Sequence, residues 1–191
     1  PINNYNVSVQ IGNYVAVQDT FLKDDQTHFM NHYVLDYNKE LASNFFPQSK
    51  EVIRFYEKYF GDYQWYEDGY KLIEVPYLGM EHQSAVTYGN GFSMYNGVRS
   101  KSWPMYGVIE PLIIHETGHE WFGNSVTALD PTHIWIHEGL QVYSEAIFFE
   151  DKFDSYEVGI HYLNSIKNRI VNEIPIVGNE NQNHWALHGD T

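Results

Sequence analysis

Residues 111–124 read PLIIHETGHEWFGN, and the spacing inside them restricts the fold more than any other feature of the chain. His115 and His119 stand four apart, with Glu116 directly after the first. On a helix, residues four apart lie one above the other on the same face, so a helix here offers two imidazole nitrogens to one cation. Glu116 then leans over that cation without ligating it, which is the H-E-x-x-H arrangement of two zinc ligands and a general base. The competing reading is an amphipathic helix that carries two histidines by chance, because ten of the 191 residues are histidine. A catalytic zinc needs a third protein ligand and an open position for water. Glu138 stands nineteen positions after His119, in HIWIHEGLQVYSEAIFFE on the next predicted helix. A short loop between helices makes them antiparallel neighbours, so Glu138 can face the histidine pair and complete a His₂Glu set.

The pattern on either side predicts an α+β fold. Val7, Val9 and Ile11 alternate with polar residues and predict a half-buried strand that breaks at Gly12-Asn13 and resumes at YVAVQ. A second extended segment is predicted through HFMNHYVLDY, followed by a helical stretch over 38–61 that is interrupted near Pro47 and stopped by Gly61. Val52, Phe55, Tyr56, Tyr59 and Phe60 form its apolar stripe. YKLIEVPY reads as a buried strand, and LGMEHQSAVTYGNG as an edge strand with a Gly-rich turn. Three helices are predicted from Pro111 on: 111–122, about 130–149, and about 154–172. Strands first and helices afterwards give an N-terminal mixed β-sheet part followed by a helical part that carries the site. The expected organisation is a single partial domain over 1–191, mainly sheet over 1–106 with helices at about 39–60, and helical over 107–191. The first residues lie inside a predicted strand and the last, HWALHGDT, close no element, so the chain is expected to be part of a longer protein.

Composition narrows the partners. Eleven basic residues against 25 acidic ones give a formal charge of −14, which opposes phosphate backbones and anionic lipid; nucleic acid is therefore not an expected partner. The absence of cysteine excludes disulfides and thiolate metal sites. No apolar run approaches the ~20 residues that a membrane span requires. His28 and His32 also stand four apart, but on a segment read as extended, where that spacing does not stack, and no second metal site is expected there.

HETGHEWFGNSVT and WIHEGLQVYSE closely resemble the zinc aminopeptidases of the aminopeptidase N and leukotriene hydrolase family, which carry H-E-L-x-H-x-W-F-G-N followed by W-L-N-E-G-F-A with the same nineteen-residue step. LGMEHQ at 78–83 resembles the family's G-x-M-E-N segment, which lies on an edge strand lining the cleft. The resemblance implies the central part of a thermolysin-like catalytic domain. It implies one zinc ion held by His115, His119 and Glu138, with Glu116 moving the proton. It also implies that Glu81 binds the α-amino group of a peptide with a free N-terminus while the backbone at Gly79 and Met80 aligns that peptide. Leu78, His82, His137 and the pair Leu140-Gln141 depart from the family pattern and touch pocket walls rather than ligands. A GMEH form resembles a bacterial branch, which together with the lack of cysteine points to an extracytoplasmic home.

A ligating histidine needs a partner for its other ring nitrogen, and Glu145, nearly in phase with Glu138, and Asn124 are the candidates. The plain alternative for Glu145 is a solvated helix glutamate. In the family a tyrosine in a Y-x-K-G segment, roughly 60 residues after the third ligand, stabilises the oxyanion. None of the 16 tyrosines lies in such a segment, so it is expected beyond Thr191, and the 191 residues alone are expected to bind zinc yet hydrolyse peptides poorly. A thermolysin-type endopeptidase would share the His₂Glu set but leaves GMEH and WFGN unexplained. A non-catalytic relative would be expected to have lost a ligand or the base, and all four residues are present.

Overall fold

The computed structural model describes residues 2–92, 109–170 and 175–177. Two compact units divide the chain, Pro1–Glu120 and Trp121–Thr191. None of the described helices is long and apolar enough to cross a membrane.

The first unit is built on a mixed five-stranded sheet in the order β1-β2-β3-β5-β4. Strands β1 (Tyr14–Lys23) and β2 (Gln26–Leu35) form a regular antiparallel hairpin. Its two-residue turn is Asp24-Asp25, both at positive φ (47° and 61°), the conformation that matches the twist of the paired strands. Val17 and Phe21 on β1 and Met30, His32 and Val34 on β2 point to the same, buried face, as a period of two requires. Strand β3 (Lys71–Glu74) runs parallel to β2 and to β5 (Ala85–Tyr88), while the short β4 (Gly79–Met80) pairs antiparallel with β5 and forms an edge.

The β2–β3 ladder is sparse, with Tyr33 opposite Ile73 and one isolated bridge between Met30 and Tyr70. Side chains reinforce it. The Nδ1 of His32 accepts from the Leu72 N–H at 3.0 Å, and the Glu74 carboxylate accepts from the Leu35 N–H at 2.8 Å and from Asn38 Nδ2 at 2.6 Å.

Helix α1 (Lys39–Phe45) passes through a 3-10 turn, Phe46–Gln48, into α2 (Ser49–Phe60). Pro47 supplies no N–H, so one continuous α-helix cannot run through it. Val52, Ile53, Phe55 and Tyr56 bury one face of α2, Tyr59 stays 45% exposed, and Gly61 ends the helix at φ 93°. Helix α3 (Pro111–Gly118) packs against α2, β4 and β5.

The structure departs from the expected elements at several places. Residues 7–11 form no strand: Val7, Val9 and Ile11 are 60%, 80% and 91% exposed, because alternation marks a face that can be buried but supplies no neighbouring strand to pair with. Helix α3 stops at Gly118 rather than 122, since glycine is a poor helix former and the Glu120 N–H reaches back only to Thr117. In the second unit, 130–136 is not part of a long α-helix. Asp130 caps a 3-10 turn, Pro131–Ile136, in which His133 leaves helical geometry (φ −107°, ψ 27°). The β-branched and aromatic run HIWI restricts χ1 against each preceding turn, and regular helix begins only at Glu138.

The second unit then consists of α4 (Glu138–Phe153) packed on α5 (Tyr156–Ile166), with a 3-10 turn at Lys167–Arg169. Ala146, Phe148, Phe149 and Tyr162 are buried in it. The helix predicted to run to about 172 ends at Ile166, and after the 3-10 turn Ile170 is extended (φ −90°, ψ 107°); 171–172 and the closing HWALHGDT lie outside the described residues.

Candidate active site

Helix α3 starts where its sequence directs. The Glu110 side chain accepts from the Leu112 N–H at 3.2 Å as N-cap, and Pro111 occupies the first helical position, where its missing N–H costs nothing. Ile113 and Ile114 are buried, which turns the neighbouring His115 and Glu116 toward the site side of the helix. His119 lies one residue past the helix end but keeps helical geometry (φ −62°, ψ −16°), and its N–H reaches the His115 carbonyl at 3.3 Å. The stacking that the spacing demands therefore survives the short helix. The two Nε2 atoms are 3.2 Å apart and the rings meet edge-on, centroids 4.6 Å apart at 87°. Below them, the buried Tyr70 hydroxyl meets the Thr117 hydroxyl at 2.6 Å and fixes the helix to the start of β3. Burial pushes the Tyr70 phenol well above its ordinary pKa, so it stays a neutral hydrogen-bonding group.

Edge strand β4 lies against this helix. At Gly79 the reason for glycine is a close approach. A Cβ there would stand 2.9 Å from the Glu116 Oε1, 3.1 Å from its Cγ and 3.0 Å from the Thr87 carbonyl. The Glu116 carboxylate thus lies directly on the strand. Glu81 leaves the end of β4, is 5% exposed, and brings a carboxylate oxygen to within 4.8 Å of both Glu116 and a ring nitrogen of His119. Two buried carboxylates converging on an imidazole make this a locus that favours cations. His82, next to Glu81, is also buried; burial holds its imidazole below the ordinary pKa, outweighing the adjacent Glu81.

The β4–β5 connection is short and tense. The Ala85 N–H returns to the His82 carbonyl at 2.9 Å, and Ser84, the third residue of that turn, sits at φ 55° in the left-handed region. Its N–H donates to the Glu120 carboxylate at 2.6 Å in a buried bond. Neither Ser84 nor Glu120 was indicated by the sequence reading. A serine gives no sign of left-handed backbone, although a carboxylate placed directly after a histidine of H-E-x-x-H is a signal that invites a role.

In the second unit, Glu138 opens α4 and is half-buried, and the buried His137 precedes it. The His137 Nε2 accepts from the Ala128 N–H at 2.9 Å, tying the segment before α4 to the loop that follows Gly123. Glu145 is fully buried and accepts from the Tyr162 hydroxyl of α5, which overturns the solvated-glutamate alternative. Asn124 is 8% exposed, and its carbonyl accepts from the Thr127 hydroxyl at 3.3 Å.

Known proteins resemble this chain in sequence and fold. The chain is 30% identical to human (Homo sapiens) endoplasmic reticulum aminopeptidase 2 over 119 residues, 61% of this chain and 12% of that protein. Its backbone superposes on Legionella pneumophila aminopeptidase A solved with aspartic acid, with a TM-score of 0.68 at 16% identity, covering 93% of this chain and 20% of that one. It also superposes on the M1 zinc metallopeptidase of Deinococcus radiodurans, with a TM-score of 0.63 at 16% identity over 94% of this chain and 38% of that one. At these identities the superpositions show the fold alone, an α+β arrangement of this type. The chain spans about an eighth of the length of the human relative. The description of the peptidase family M1 domain matches residues 44–175, and with the H-E-x-x-H helix and the GMEH edge strand inside that span, the chain belongs to peptidase family M1.

Proposed function

We propose that this chain forms the central part of the catalytic domain of a zinc aminopeptidase, one that removes N-terminal residues from peptides. The observation that carries the reading lies within the first unit, where Glu81, Glu116 and His119 converge within 4.8 Å beside the stacked His115. The donor chemistry fits zinc: two imidazole Nε2 atoms 3.2 Å apart on one helix face are the nitrogen half of a His₂Glu set. In the proposal His115, His119 and Glu138 hold one ion, Glu138 being assigned by its step of nineteen residues and the resemblance of WIHEG. The metallopeptidase of the Deinococcus structure is named for zinc, which supports that choice.

Zinc, when bound, supplies Lewis-acid polarisation of the scissile carbonyl and acidifies water. The chain's own residues do the rest. Glu116, seated against the backbone of Gly79, takes the proton from the attacking water and returns it to the leaving amine. Glu81, fixed at the end of β4, pairs with the α-ammonium of the peptide. A carboxylate at a set distance from the reacting carbonyl counts off one residue and leaves a blocked N-terminus without its partner, which turns a peptidase into an aminopeptidase.

The test uses the full-length protein and one peptide, offered with a free and with an acetylated N-terminus. Cleavage of the free form alone, lost on chelation and restored by zinc, is expected. Glu81→Ala should lower kcat/KM on the free peptide by at least ~30-fold, the cost of removing one partner of a buried charge pair. Equal cleavage of both peptides would instead indicate a thermolysin-type endopeptidase.

A further inference from the structure

Glu81 can measure a distance only if something holds the strand end that carries it. Strand β4 has two residues, Gly79 and Met80, and its antiparallel pairing to β5 covers only Gly79 with Tyr88 and Met80 with Thr87. Glu81 is the first residue beyond that pairing, at the mouth of a four-residue connection ending at Ser84. The connection closes through a turn that places Ser84 at φ 55°, a position where such turns put glycine and where a serine is strained. Strained backbone persists only where its surroundings over-determine it. The determinant is visible: the Ser84 N–H donates at 2.6 Å to the carboxylate of Glu120, which is 1% exposed. Glu120 in turn is the residue directly after His119. One charge-assisted hydrogen bond therefore ties the amine-recognising connection to the histidine-bearing segment. Its neighbourhood is closed. Tyr63 and Tyr70 are buried and Lys71 is half-buried, and all three feel the Glu120 charge.

We infer that Glu120 is a positioning residue for substrate recognition: by clamping the Ser84 N–H it sets how far the Glu81 carboxylate stands from the His115–His119 pair. The inference rests on the reading of Glu81 as the amine anchor. A clamp of this kind needs an acceptor at the right length rather than a negative charge as such. Glutamine supplies that acceptor, aspartate is one methylene too short, and leucine supplies none.

The experiment compares Glu120→Gln, Glu120→Asp, Glu120→Leu and Glu81→Ala in the full-length enzyme, reading KM and kcat for one peptide with free and with acetylated N-terminus, and zinc content by metal analysis. Glu120→Gln is expected to stay within about threefold of the parent. Glu120→Leu and Glu120→Asp should raise KM for the free peptide by roughly 10- to 100-fold, the scale of a lost hydrogen bond to a charged group. With them, preference for the free over the acetylated peptide should shrink while kcat changes less and zinc content holds. If Glu120→Leu cannot be recovered folded, the contrast between Gln and Asp decides. A Gln variant as impaired as Asp, or a loss of kcat and zinc together with KM unchanged, would overturn the clamp. Glu81→Ala separates the two assignments. If it abolishes the preference while the Glu120 variants leave KM unmoved, the clamp alone fails; if it leaves the preference intact, the amine anchor fails and the clamp with it.

Discussion

Gly79 shows how one missing atom shapes a site. The nearest atom that an added Cβ would meet is the Glu116 Oε1 at 2.9 Å, the far end of a side chain, with the Thr87 carbonyl at 3.0 Å behind it. A carboxylate tip can swing aside at little cost in stability, but in the proposed function that tip transfers the proton, and misplacing such a group by ~1 Å costs on the order of 100-fold. Gly79→Ala is therefore expected to lower kcat by at least ~10-fold with zinc content kept and the urea midpoint almost unchanged. Unfolding at much lower urea would mean that the Thr87 backbone, not Glu116, gives way. The sequence reading assigned Gly79 to peptide alignment by resemblance; its contact with Glu116 was illegible there, because the two residues are 37 positions apart and meet only when β4 packs on α3. His115, Glu116 and His119 were legible because their relation is local, one helical turn that any packing preserves. For Glu145 the sequence supplied the helix phase but not the Tyr162 hydroxyl that arrives from another helix.

At the scale of elements, what could be read was periodicity, and what could not was where periodicity is cut off. Helix α2 shows its stripe and its glycine stop in the sequence. The end of α4 does not, since it closes on Asp154 in the left-handed region (φ 47°, ψ 44°). The Asp154 N–H reaches the Asp151 carbonyl at 3.3 Å and the Ser155 N–H the Glu150 carbonyl at 3.1 Å, the paired bonds of a Schellman motif, which usually has glycine at this residue. Asp154 bears two costs there: a Cβ in left-handed backbone, and a negative charge at the negative end of the helix dipole. Asp154→Gly should remove both and stabilise the chain by about 1 kcal/mol, read as a higher urea midpoint. An unchanged or lower midpoint would show that the aspartate side chain compensates its own strain. The exposed Val7–Ile11 segment carries the complementary lesson. A strand depends on a neighbour, and the alternation of Val7, Val9 and Ile11 states a capacity for burial that the described residues do not use.

For the whole molecule the governing quantities are its charge and its buried histidine. A formal charge of −14 makes the folded chain repel itself, and protonating carboxylates relieves that repulsion, but chiefly near and below pH ~4, where carboxylates titrate. Between pH 4 and 6.5 histidines dominate. His32 is fully buried, its Nδ1 accepts from the Leu72 N–H, and burial lowers its pKa from 6.5 to about 4. Above pH 6.5 it is neutral in the folded and unfolded states alike, and its neutral form supports the β2–β3 junction by accepting from Leu72. As pH falls below 6.5 the unfolded chain takes up a proton that the folded chain refuses until about pH 4, so stability declines through this window. The loss reaches about 2 kcal/mol at pH 5 and about 3 kcal/mol by pH 4. His82, whose pKa is also lowered by burial, acts in the same direction. His32→Asn offers the Leu72 N–H a similarly placed acceptor that does not titrate. Urea midpoints at pH 7 and pH 5, taken with a chelator present so that metal release does not enter, should fall steeply for the parent chain and much less for the variant. Equal declines in both would move the acid sensitivity away from His32 to the other histidines, the buried His82 among them.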